Sequence, residues 1–99
     1  MDIQNDSTHR RFKTLVDGGE AHILYHRGPQ NSYDLFATEV PPESRGKNIA
    51  DQLVREAIKV AKSENVQIIA TCPYVKHWFD KHPEEKEILQ RNEIRGLER

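Results

Sequence analysis

From Arg10 to Val16 the side chains alternate, with Phe12, Thr14 and Val16 on one face and Arg11, Lys13 and Leu15 on the other, the period of a half-buried strand. Asp17-Gly18-Gly19 is a hairpin signal, because glycine reaches positive φ without a Cβ clash. Glu20 to His26 resumes the alternation, with Ala21, Ile23 and Tyr25 aligned. Gly28-Pro29-Gln30-Asn31 breaks the chain again, and Ser32 to Val40 is a third strand rich in aromatic and β-branched residues. The three predict an antiparallel meander. Pro41-Pro42 ends it, since proline brings no N–H to a ladder.

The period then changes. Ala50, Leu53, Val54, Ala57, Ile58 and Ala61 fall on one face of an α-helix, and Asp51, Gln52, Arg55, Glu56, Lys59 and Lys62 on the other. Its acidic start and lysine-bearing end match the helix dipole. Val66 to Thr71 has strand length, and a strand reached through a crossover helix pairs parallel to the third. Cys72-Pro73 opens a second helix with proline at its first position and Cys72 as N-cap. Val75, Trp78, Phe79 and His82 share a face of that helix, and Pro83 interrupts it. Glu84 to Asn92 is expected to resume as helix. Met1 to His9 is polar and predicts a mobile arm, and residues 92–99 a loose tail, leaving one domain over 10–91. The fold class is α/β: a mixed sheet, an antiparallel meander plus one parallel strand after a crossover helix.

Composition narrows the function. A chain of 99 residues holds one small domain. Fifteen Lys and Arg balance sixteen Asp and Glu, a formal net charge of −1, so no single-signed field favours nucleic acid or a membrane surface. The single cysteine rules out an internal disulfide and a cysteine-rich zinc site. His22 and His26 stand about 13 Å apart by strand rise, too far to share a metal. All five histidines read as surface residues, and no metal set is expected. Without a signal pattern or an apolar run of membrane length, the expectation is a soluble cytoplasmic protein, monomeric or a weak homodimer.

The informative stretch is Val40-Pro-Pro-Glu-Ser-Arg-Gly-Lys-Asn-Ile-Ala50, a strand-to-helix connection. Free backbone N–H groups and partial positive charge suit a helix N-terminus to phosphate. Gly46 lets a ligand approach the backbone, and Arg45 and Lys47 add cations. An ordinary loop with solvated charges is the alternative. Arg45, Gly46, Lys47, Asn48, Ile49 and Ala50 resemble the Q/R-x-x-G-x-G/A motif of the GCN5-related N-acetyltransferases, which cradles the pyrophosphate of acetyl-CoA. The order Val40-Pro41, Arg45-Gly46-Lys47, Ile49-Ala50, Leu53, Cys72-Pro73-Tyr74-Val75, Trp78-Phe79 and Pro83-Glu84 is similar to the family's small single-domain members, the YjdJ-like or NATD1-like group. The likeness covers roughly residues 10–90. Asn48 stands where the family usually has glycine, and asparagine tolerates the left-handed region better than most residues. Ala37-Thr38 stands where the group often has His-Thr, so a possible base is missing.

The resemblance implies acetyl-CoA as cosubstrate and an amine as acceptor. It implies Val40 and Arg45 to Ala50 as the binding segment, with a backbone N–H near Val40 polarising the thioester carbonyl. It also places Cys72 near that thioester. Three readings of Cys72 stand: a nucleophile that carries the acetyl group, a neighbour of direct attack by the amine, or a small buried residue. Tyr74 is either a general acid for the departing thiolate or a packing residue. Phe79 is core or the edge of a pantetheine tunnel. A non-catalytic acyl-CoA-binding module and an interaction adaptor are the rival functions.

Overall fold

A computed structural model describes residues 1–90 of the chain. Five strands form one sheet in the order β1-β2-β3-β4-β5. They are β1 (Gln4–Asp6), β2 (Arg11–Val16), β3 (Gly19–Arg27), β4 (Tyr33–Glu39) and β5 (Ile68–Ala70). Pairing is antiparallel from β1 to β4, and β4 pairs parallel to β5. Helix α1 (Ile49–Glu64) makes the crossover between them, and α2 (Pro73–Lys81) follows β5. The mixed α/β fold is the one predicted from periodicity.

The alternation of β2 and β3 sorts the chain as it should. Phe12, Ala21, Ile23 and Tyr25 are buried with Leu35 beneath Leu53, Val54, Ala57, Ile58 and Ala61 of α1 and Val75, Trp78 and Phe79 of α2. Each large aliphatic side chain so buried contributes roughly 1.5–3 kcal/mol. The helical period therefore decides which face of α1 meets the sheet. Among the described residues no helix is long and apolar enough to cross a membrane.

Two expectations change. Gln4–Asp6 is an edge strand within the stretch expected to be an arm. Polar bonds hold it, which is why hydropathy does not show it. Asn5 Oδ1 accepts from the buried Tyr25 hydroxyl at 2.7 Å, and Lys13 Nζ donates to Asp6 Oδ2 at 2.9 Å. A buried phenol needs such a partner, so β1 supplies hydrogen bonds where β2 and β3 supply apolar area. The second change lies after α2. Pro83–Ile88 is a 3₁₀ segment rather than an α-helix, closed by Glu85 N–H to His82 O at 2.9 Å and Leu89 N–H to Lys86 O at 3.0 Å. The expected helical end at Arg91 and Asn92, and the tail after it, lie outside the described residues.

Candidate functional site

The site begins with a defect in β4. Cross-strand partners run Tyr25–Leu35 and then Leu24–Ala37, so Phe36 is an extra residue, a β-bulge. On the other edge the ladder to β5 stops at Leu35, paired with Ala70. The Leu35 carbonyl accepts from both Thr71 N–H at 3.1 Å and Cys72 N–H at 2.8 Å, and α2 departs from there. Beyond Leu35, β4 pairs with β3 alone. Sequence reasoning missed the bulge, because apolar residues on both sides of it read straight through.

The loop after β4 follows from its prolines and two left-handed residues. Pro42–Ser44 makes one 3₁₀ turn, Gly46 sits at φ 82°, and Asn48 sits at φ 60°, ψ 25° as the N-cap of α1. Asparagine thus takes the conformation that the usual glycine would. Its side chain makes no capping bond, so among the described residues the first N–H groups of α1 have no side-chain cap. A Cβ placed on Gly46 would meet nothing within 4 Å, so the backbone here faces open space.

A groove of about 240 Å³ runs along this turn, lined by Val40, Ser44, Arg45, Gly46, Asn48, Ile49, Ala50, Asp51 and Tyr74. It gathers most of the residues singled out in the sequence, and it excludes two. Lys47 turns away to Asp17, Nζ to Oδ2 at 3.5 Å. Cys72 is only 4% exposed, with Sγ 3.3 Å from Thr38 Oγ1. Cys72 does begin α2, as the Cys-Pro step predicts, but without a side-chain cap bond. Arg45 donates from Nε to the Val40 carbonyl at 3.0 Å, which folds the loop back on the end of β4.

Tyr74 is 37% exposed and faces the groove instead of the sheet. Burial raises its phenol pKa, and Asp51 and Cys72 add to the rise, so the hydroxyl keeps its proton at neutral pH. Asp51 enters as a residue the motif does not name. Trp78 Nε1 donates to Asp51 Oδ1 at 2.7 Å and Arg55 Nε to Oδ2 at 3.0 Å. Histidine takes no part in the groove. His22 bonds to Glu20 Oε2 at 2.9 Å, and His82 stacks on Trp78 with ring centroids 3.9 Å apart. Among the described residues no three His, Cys, Asp or Glu side chains are grouped to hold a metal.

A groove at an uncapped helix start, a bulged strand and a strand pair that parts beside it invite comparison with known proteins. The profile of the GCN5-related N-acetyl-transferase family matches residues 11–88. The chain is 29% identical over 83 residues to Protein NATD1 of Danio rerio, covering 82% of this chain and 76% of that one. Protein NATD1 of Homo sapiens is likewise 29% identical over 83 residues, covering 82% of this chain and 74% of the relative. That of Gallus gallus is 28% identical over 85 residues, covering 84% and 77%. With the profile spanning most of the chain, from β2 through the 3₁₀ segment, the protein belongs to the GCN5-related N-acetyltransferase family.

Proposed function

We propose that the chain binds acetyl-CoA along the Val40–Asp51 groove and transfers its acetyl group to an amine. One observation carries the reading: the uncapped start of α1, the open face of Gly46 and the protonated Tyr74 phenol share one groove. Acetyl-CoA supplies an acetyl group activated as a thioester. Its pyrophosphate needs convergent N–H donors, and Gly46, Asn48, Ile49 and Ala50 offer them from backbone alone. Arg45 is the cation on the groove, while Lys47 is paired with Asp17 outside it.

The chain's own groups divide the remaining work. The bulge at Phe36 and the parting of β4 from β5 leave the β5-facing edge of β4 beyond Leu35 without a strand partner among the described residues, and main-chain N–H groups on that edge can orient a carbonyl. Tyr74 holds a proton at Oη, ready for a leaving thiolate. Cys72 does not line the groove and is buried with its Sγ against Thr38 Oγ1, which favours direct attack by the amine over a cysteine-borne acetyl group. Catalysis then rests chiefly on positioning the two reactants.

Calorimetric titration with CoA, paired with acetyl-CoA turnover on a panel of amines, tests the proposal. Binding with turnover supports it. Binding without turnover on any amine would leave an acyl-CoA-binding module, and no binding at millimolar CoA would refute it.

A further inference from the structure

The candidate phosphate segment has little internal support. Among the described residues the backbone bonds near it are Ser44 N–H to Pro41 O at 2.9 Å, Arg45 N–H to Pro42 O at 3.3 Å and Gln52 N–H to Asn48 O at 3.2 Å. None has Gly46 or Lys47 as a donor or acceptor. Two residues in left-handed backbone flank Lys47, and besides the Arg45 Nε bond to the Val40 carbonyl the segment is supported from outside.

The outside support is the β2–β3 hairpin turn, distant in sequence. Ser44 is 1% exposed, and its Oγ donates to the Asp17 carbonyl at 2.7 Å. Gly18, at φ 92°, lies so close that an added Cβ would collide with the Glu43 carboxylate and come within 3.0 Å of Pro41 Cβ. Lys47 Nζ reaches Asp17 Oδ2 at 3.5 Å. Three contacts of different kinds thus converge on one two-residue turn: a part-buried hydrogen bond, the close approach of Gly18 to Pro41 and Glu43, and an ion pair.

We infer that the Asp17-Gly18 turn is the clamp that holds the Arg45–Asn48 segment in its ligand-ready shape, with Ser44 as the positioning residue. The inference rests on the proposed function for its consequence, CoA affinity, but not for its geometry. The turn itself does not line the groove. It acts through Ser44 alone among the groove-lining residues.

Ser44→Ala removes the clamp's hydrogen bond and leaves every backbone donor of the segment in place. Ser32→Ala is the control, a fully buried serine at the opposite end of β4. The first readout is the backbone ¹⁵N order parameter of residues 45–48 without ligand. Values should be about 0.85 in the parent and in Ser32→Ala and fall below about 0.6 in Ser44→Ala. A folded Ser44→Ala protein with unchanged order parameters would overturn the inference, whatever its melting temperature. Gly18→Ala is the second variant, since its methyl group strains the turn at φ 92° and crowds Pro41 while keeping Ser44, and it should lower the same order parameters. The second readout is the CoA dissociation constant, expected to rise about threefold or more in Ser44→Ala, as loss of one positioning hydrogen bond implies. A smaller change would also count against the clamp. Parent protein that binds no CoA would refute the proposed function, and the order parameters would still decide the clamp.

Discussion

The indole Nε1 of Trp78 donates to Asp51 Oδ1 at 2.7 Å, joining the middle of α2 to the first turn of α1. Arg55 completes the arrangement, with its guanidinium carbon 5.2 Å from the Trp78 ring centroid and its Nε on the second carboxylate oxygen. Burial alone would push the Asp51 pKa up. The hydrogen bonds from Trp78 and Arg55 outweigh it, and the net shift is downward. The helix that starts at the groove and the helix that carries Tyr74 are therefore held together by one ionised carboxylate.

Trp78→Phe should cost about 1.5–3 kcal/mol, the worth of a hydrogen bond to a charged group, since it leaves part of a half-buried carboxylate unpartnered. Urea unfolding measures the loss. A change below about 0.5 kcal/mol would show that water replaces the indole without cost.

Acid should destabilise the protein through the same carboxylate. A group whose folded pKa is depressed contributes stability that is complete above its unfolded pKa and is lost as pH falls through the folded one. Asp51 is such a group. Glu20, lowered mainly by its Arg11 hydrogen bond, and Asp6, lowered mainly by Lys13, are two more. Urea midpoints should decline from about pH 5 downward, given unfolded carboxylate values near 4. Asp51→Asn should be less stable at neutral pH and decline less steeply in acid. An identical acid slope in that variant would remove Asp51 from the account.

Much of this was legible in the sequence because it rests on period. Phe12, Thr14 and Val16 on one face of β2, and the apolar stripe of α1, are direct consequences of burying one side of each element. The local backbone at two turns was legible too, since Gly46 and the Cys72-Pro73 step carry conformational meaning that the left-handed Gly46 and the start of α2 express. Tertiary features were not. Strand β1 is held by Asn5 and Asp6, whose partners Tyr25 and Lys13 stand on β3 and β2 and not within β1 itself. The bulge at Phe36 is a register property of two strands, invisible in either alone. Tyr74 reads as an amphipathic helix residue, and only the placement of α2 turns it to the groove.

Asn48 tests the turn itself. Asn48→Gly should keep the left-handed N-cap and hold or improve CoA affinity. Asn48→Ala should lose about 1 kcal/mol of stability, because alanine resists positive φ. The pair is read by urea unfolding and calorimetry. A large affinity loss in the glycine variant would show that the Asn48 amide is itself a ligand.

Cys72 and Tyr74 should separate in kinetics. If the amine attacks directly, Cys72→Ser keeps CoA binding and most turnover, and acetyl-CoA alone leaves no hydroxylamine-labile acetyl adduct by mass spectrometry. Tyr74→Phe should lower kcat about 100-fold, the scale of lost general acid catalysis, with little change in CoA affinity. A labile adduct that vanishes in Cys72→Ser together with turnover would reverse the two roles.

The central claim is that CoA phosphate is held at the start of α1. Titration of ¹⁵N-labelled protein with CoA, followed residue by residue by NMR, examines it most directly. The largest shifts are expected at the amides of Arg45 to Asp51, with Tyr74 next and the opposite end of the sheet unmoved. Shifts confined elsewhere, or none at millimolar CoA, would contradict it.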